Sequence, residues 1–158
     1  MEASQVISEY CNKQFYQIVN SDKRIVILQG GARSGKTYSC CQYLIFRILK
    51  AEQPLTITIV RNTLPSLKRS VMRDFIGLLD KLGLYTLGVH NKSENTWTYG
   101  KCIVQMISAD EPMKLRGAKH DLVFINEANE CSFETFRQIN MRTTERIIID
   151  FNPSDAVN

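Results

Sequence analysis

The chain has 158 residues, 44% of them hydrophobic and 23% charged, with a formal net charge of +4. That length suits one compact domain with a full core and is too short for two of ordinary size, while the composition argues against a disordered chain. So mild a positive charge permits a nucleic-acid partner without requiring one.

From Gln5 to Val19, the residues Ile7, Tyr10, Cys11, Phe15 and Ile18 recur at near-helical spacing, so a leading helix is expected, broken by Ser21-Asp22. Within it Gln17 is a candidate adenine contact, because a glutamine side chain both donates and accepts; the alternative is an exposed helix glutamine. An apolar strand, Ile25-Val26-Ile27-Leu28, leads into Gly30-Gly31-Ala32-Arg33-Ser34-Gly35-Lys36-Thr37, which fits G-x-x-x-x-G-K-[ST] at every fixed position. Cys41, Leu44, Ile45, Ile48 and Leu49 then mark one face of a helix. Strand, glycine-rich turn and helix together predict a phosphate-binding loop, whose backbone N–H groups hold a polyphosphate at the positive end of the helix. In that reading Lys36 reaches the β and γ phosphates of ATP, and Thr37 holds Mg2+.

Glu52-Gln53-Pro54 is a turn, and Leu55 to Val60 reads as a β-branched strand parallel to the first. After the polar turn from Arg61 to Ser66, Leu67, Val71, Phe75, Leu78, Leu79 and Leu82 define the buried face of one helix ended by Gly83. Its other face carries Lys68, Arg69 and Arg73, which with Arg61 form either a patch for a nucleic-acid backbone or a solvated face. The stretch from Asn95 to Ile107 reads as a hairpin turned at Gly100, in which Trp97 either packs or stacks a base. A short helical turn ending at Gly117 precedes the apolar strand Leu122-Val123-Phe124-Ile125, a run suited to a sheet covered on both faces. Ser132 is expected to cap a helix bearing Phe133, Phe136 and Ile139, and Glu145 to Asp150 gives the last buried strand, running into Phe151-Asn152-Pro153.

The five cysteines, Cys11, Cys40, Cys41, Cys102 and Cys131, are odd in number and form no C-x-x-C pair, which predicts free thiols in a reducing compartment. No apolar run is long enough for a bilayer and Met1-Glu2-Ala3-Ser4 does not read as a signal peptide, so a cytoplasmic protein with no membrane partner is expected.

Hydrolysis of a bound nucleotide needs a group that activates water beside the γ phosphate and cations for the developing charge. Glu127 follows an apolar strand of the sheet, and ligands of open α/β sheets collect at the carboxyl ends of strands, so it is the candidate base. Asn126 before it stands where an aspartate would support the metal; its carbonyl is a neutral candidate for that shell, with weaker metal binding as the consequence. Asn152 is a candidate sensor of the γ phosphate or simply part of an Asn-Pro turn. Arg33, inside the loop, either reaches the γ phosphate in cis or faces solvent, and Arg116 is better placed to reach a neighbouring subunit's nucleotide than its own.

The ordered motifs Gly30 to Thr37, Leu115-Arg116-Gly117, Val123-Phe124-Ile125-Asn126-Glu127-Ala128-Asn129-Glu130 and Asp150-Phe151-Asn152-Pro153 resemble the ATPase domain of the large terminase subunit of tailed bacteriophages. The resemblance implies an α/β P-loop NTPase fold of the ASCE type, with a mainly parallel sheet, an added antiparallel hairpin and helices on both faces. It further implies Glu127 as catalytic glutamate, Asn152 in a coupling motif and Arg116 as a trans-acting arginine finger. The implied activity is ATP hydrolysis with Mg2+, driving double-stranded DNA into a procapsid from a ring on the portal protein, with the small terminase subunit as partner, in the cytoplasm of an infected bacterial host cell. Two departures stand out: Asn126 replaces the usual acid, and no nuclease-type acid cluster follows the last motif. Residues 1–158 are therefore expected to be an ATPase domain that does not cut DNA. The competing expectations are a helicase- or recombinase-like DNA translocase, and a nucleotide-binding assembly module with negligible turnover.

Overall fold

The computed structural model describes residues 11–153. The expected leading helix is present in part, as α1 (Lys13–Asn20), and its earlier portion lies outside the described residues. Asn12 caps it by accepting the Phe15 N–H at 3.2 Å, and Phe15 and Ile18 are its buried side chains. Strand β1 (Ile25–Gln29) feeds the glycine-rich loop, and α2 (Lys36–Lys50) follows. Then come β2 (Leu55–Arg61), α3 (Leu64–Arg69) and α4 (Val71–Lys81). Three antiparallel-paired segments follow, β3 (Val89–Asn91), β4 (Thr96–Tyr99) and β5 (Cys102–Ser108). The chain continues through α5 (Pro112–Gly117), β6 (His120–Ile125), α6 (Phe133–Arg142) and β7 (Thr143–Phe151).

The strands form one seven-stranded sheet in the order β1-β7-β6-β2-β5-β4-β3. Pairings among β1, β7, β6, β2 and β5 are parallel, and β4 and β3 extend the sheet antiparallel. This is the mainly parallel sheet with an added hairpin. Strands β1 and β2 share the sheet but are separated by β7 and β6.

Period-two alternation along the central strands divides the apolar side chains between two cores. Ile57, Ile59, Leu122, Phe124 and Ile148 point to one face, where they pack with Leu44 and Ile45 of α2 and Phe75 and Leu79 of α4. Val60, Val123, Ile125, Ile147 and Ile149 point to the other, against Leu115 of α5 and Ile139 of α6. Covering both faces fixes the register, because a one-residue slip would send each set to the wrong side. It also brings the carboxyl ends of β1, β7, β6 and β2 together along one edge.

Two local features differ from the expectation. The single helix predicted between Leu67 and Gly83 is two, broken at Ser70, whose backbone (φ −123°, ψ −99°) is not helical. Apolar spacing carries through the break because Leu67 and Val71 both remain buried, which is why periodicity does not reveal it. Strand β3 was not foreseen, since it is three residues long with Val89 mostly exposed and so shows no alternation.

Trp97 is 1% exposed, donates its indole N–H to the Tyr85 carbonyl at 3.2 Å, stacks on Tyr99 and meets Phe75 edge-on. That burial excludes base stacking. Trp97→Ala is expected to cost about 3–5 kcal/mol of stability, the range for truncating a buried large aromatic; a chemical-denaturation curve matching the parent's would contradict this packing role. No helix among the described residues is long and apolar enough to cross a membrane.

Candidate functional site

The loop after β1 is shaped by its glycines and by the lysine it encloses. Gly35 has φ +81° and Arg33 φ +62°, left-handed conformations that turn successive peptides around the loop. A Cβ on Gly35 would also lie 2.8 Å from Asn12 Nδ2, so a side chain there would force the Asn12 side chain to move in addition to straining the backbone. Lys36 is 7% exposed and donates from Nζ to the carbonyls of Gly30 at 2.7 Å and Gly31 at 2.9 Å, and to Ser34 Oγ at 3.1 Å. The loop thus holds its ammonium where a bound polyphosphate would take over those contacts. Two residues brace the loop from the amino-terminal side: Gln14 Nε2 donates to the Ser34 carbonyl at 3.0 Å, and Asn12 Oδ1 accepts from the Ser39 hydroxyl.

The centre of the site is Asp150, near the end of β7. Its side chain is buried and its two oxygens accept from three groups: the Thr37 hydroxyl at 2.8 Å, the Asn126 amide at 3.0 and 3.1 Å, and the Glu127 backbone N–H at 2.8 Å. Burial pushes the Asp150 carboxyl above its usual range, and the hydrogen bonds it accepts and the charge of Lys36 act in the opposite direction. Sequence reasoning overlooked this residue. Strand alternation could have found it, because Ile148 faces the core containing α2 and Asp150, two residues on, must face Thr37 at the start of that helix.

Asn126 is 2% exposed and oriented by the same hub. Its nitrogen lies 3.3 Å from Thr37 Oγ1 and its carbonyl accepts from Arg61 Nη1 at 3.3 Å, so it is the amide nitrogen rather than the expected carbonyl that faces Thr37. The reason is the carboxylate beside it, which attracts donors. Glu127 has φ +52° and ψ +56°, a left-handed conformation rare for a residue with a Cβ, held by its N–H to Asp150. Burial first, and then the Asp150 charge, raise the Glu127 carboxyl, with Glu130 adding to the rise and Arg61 and Lys36 opposing it.

A cleft of about 460 Å³ opens along this edge, lined by Ala32, Arg33, Ser34, Gly35, Lys36, Thr37, Arg61, Glu127, Glu130 and Asn152 among others. Most of the expected site residues therefore converge on one space. Gly30 and Gly31 are reached through the Lys36 contacts above. Arg33 is exposed at the rim. Gln17 is exposed on α1 and does not line the cleft; the α1 glutamine that touches the loop is Gln14, one turn earlier. Arg116 is exposed on α5 and stands apart from the cleft.

Arg61 was expected with Lys68, Arg69 and Arg73, either in a patch for a nucleic-acid backbone or on a solvated face. It instead turns into the site, bonding Ser70 Oγ at 2.5 Å and Glu130 at 3.4 Å, while Lys68, Arg69 and Arg73 remain outside it. The break at Ser70 serves this contact, since the Ser70 hydroxyl also donates to the Ser66 carbonyl at 2.6 Å and so presents its oxygen to Arg61.

A phosphate loop between an edge-proximal parallel strand and a helix, with a carboxylate beyond a second core strand facing the same cleft, defines a P-loop nucleotide-binding domain. Residues 22–158 match the family model described as phage terminase large subunit, and the chain belongs to that family. Among solved structures, the large terminase of a thermophilic bacteriophage superposes with a TM-score of 0.75 at 15% identity, over 90% of this chain and 39% of that one. The ATPase domain of the large terminase of Thermus phage P74-26 gives 0.71 at 17% identity, over 92% of this chain and 66% of that one. The large terminase of bacteriophage HK97 gives 0.74 at 12% identity, over 95% of this chain and 37% of that one. This chain thus spans about two fifths of the first and last of these three proteins. No curated protein matches it.

Proposed function

We propose that residues 1–158 are the ATPase domain of a DNA-packaging motor, hydrolysing ATP to drive double-stranded DNA into a procapsid. The observation that carries this reading is the convergence of Lys36, Thr37, Glu127 and Asn152 on one cleft at the carboxyl edge of the sheet, in a chain of the terminase family. The structures of the thermophilic bacteriophage's large terminase with ATP-gamma-S and with ADP support a nucleotide as the ligand of such a cleft.

The loop amides from Gly30 to Gly35 and the helix end behind them bind the polyphosphate, and Lys36 exchanges its carbonyl contacts for the β and γ phosphates. An all-oxygen donor set, the Thr37 hydroxyl beside the Asp150 carboxylate, suits magnesium, and these residues would hold an ion that would supply positive charge to the phosphates. Glu127 orients and deprotonates water, its raised carboxyl making it a stronger base than an ordinary glutamate. Asn152 contacts the γ phosphate, and Asn126 supports the metal shell from behind Thr37. Arg33 supplies charge from its own subunit and Arg116 from a neighbour in a ring seated on the portal protein, with double-stranded DNA and the small terminase subunit as further partners. Gln17, exposed on α1 and outside the cleft lining, remains the candidate adenine contact of this reading.

Lys36→Ala tests the assignment. Hydrogen bonds to a charged group contribute roughly 1.5–3 kcal/mol each, so ATP affinity by calorimetry should fall by about tenfold or more. Equal affinity in mutant and parent would remove the loop from the binding site.

A further inference from the structure

We propose that Asp150, on β7, is the acidic residue of this chain's magnesium shell, taking the place that a carboxylate at the end of β6 would fill, with Asn126 positioning it. The inference rests on the reading of the cleft as an ATP site.

Magnesium binds through few protein carboxylates, keeps several of its waters and takes phosphate oxygens directly. Asn126, the residue directly after β6, brings no charge. Nor can Asn126 turn an oxygen toward an ion beside Thr37. Its nitrogen donates to both Asp150 oxygens and lies 3.3 Å from Thr37 Oγ1, while its carbonyl accepts from Arg61. Turning the amide over would set its oxygen against a carboxylate and its N–H groups against a guanidinium, so the hydrogen-bond pattern admits one orientation.

Asp150 has what Asn126 lacks. A threonine hydroxyl carries one proton and two lone pairs. The Thr37 proton goes to Asp150 at 2.8 Å and one lone pair faces the Asn126 amide, which leaves one lone pair for a metal ion. The carboxylate therefore sits one hydrogen bond from the ligand oxygen, the distance at which an acid can hold a metal-bound water. Its charge is offset by hydrogen bonds and by the nearby Lys36 ammonium but by no direct ion pair. Among the described residues no Lys, Arg or His side chain pairs with Asp150, and Lys36 spends its donors on the loop. A buried carboxylate without a directly paired cation is costly, and a divalent ion beside Thr37 would offset that cost. Neighbouring parallel strands make the exchange possible: Ile125 is in register with Ile149, so Asn126 and Asp150 are adjacent and face the same side.

Mn2+, read by electron paramagnetic resonance, reports on this shell without turnover. In the ADP complex of the full chain, Asp150→Asn should lower Mn2+ affinity by about 10- to 100-fold, the scale for losing an outer-sphere partner of a metal site, while ADP binding in EDTA persists. The exchange variant Asn126→Asp/Asp150→Asn returns one carboxylate and one amide to the same pair of positions, and should recover most of the lost affinity. Unchanged Mn2+ affinity in Asp150→Asn would overturn the proposal, as would an exchange variant that melts cooperatively yet stays as weak as the single mutant. Should Asp150→Asn fail to fold, the exchange variant decides alone: Mn2+ affinity near the parent's supports the proposal, and a loss of about 10-fold or more overturns it. A parent chain that binds no ADP, with or without metal, would instead overturn the nucleotide reading itself.

Discussion

Glu127→Gln is expected to bind ATP as the parent does and to hydrolyse it at least about 10²-fold more slowly, the scale for losing a positioned general base. The substitution keeps the shape of the side chain and the backbone N–H bond to Asp150, so the left-handed turn that aims residue 127 into the cleft survives. What disappears is the basic oxygen. Single-turnover hydrolysis with pre-bound ATP isolates that step from binding. The acidity of Glu127 gives a second readout. Burial and the Asp150 charge raise this carboxyl above its ordinary value of 4.5, so protonation removes the base at a higher pH than for an exposed glutamate. The acid limb of the parent's single-turnover rate should accordingly lie above the usual glutamate range, with activity falling as pH drops through it. A mutant at the parent rate would move the base elsewhere, and Glu130, on the same cleft but tied to Arg61 at 3.4 Å, is the next carboxylate to test.

The phosphate loop, the strands beside it and Glu127 were legible in the sequence because each leaves a local mark: fixed spacing, an apolar run, or an acid directly after one. Asp150 leaves none. Its meaning arises from the adjacency of β6 and β7, and these strands are paired although α6 lies between them in the chain. Once that pairing is known, a missing charge at Asn126 and a buried charge at Asp150 read as one exchange between adjacent positions. Arg61 was hidden for a related reason. A cation near other cations reads as a backbone patch or a solvated face, whereas its direction is decided by a helix break at Ser70 that hydrophobic spacing conceals. Gln14 and Gln17 differ by one helical turn, and only the docking of α1 through Asn12 and Gln14 tells which of them meets the loop.

Arg116 carries the largest expected effect. An arginine supplied by a neighbour contributes roughly 10³ to 10⁵ in rate at P-loop sites, so the isolated domain should bind ATP and turn it over very slowly. Activity per molecule should rise with protein concentration or on an assembled portal. The geometry suits that division of labour: Arg33 lines the cleft of its own subunit, whereas Arg116 is exposed on α5, outside the cleft, where its charge acts on the exposed Glu134. Such a residue can serve a second subunit without first leaving a buried partner. Mixing two inactive proteins, Arg116→Ala and Glu127→Gln, under assembly conditions separates trans from cis action. In a mixed ring some interfaces join an intact Glu127 in one subunit to an intact Arg116 in the next, and those interfaces should hydrolyse ATP. Neither protein alone can form one. Partial recovery that follows the mixing ratio is the expected result, and no recovery in rings shown to contain both proteins would place Arg116 in cis or outside the chemistry.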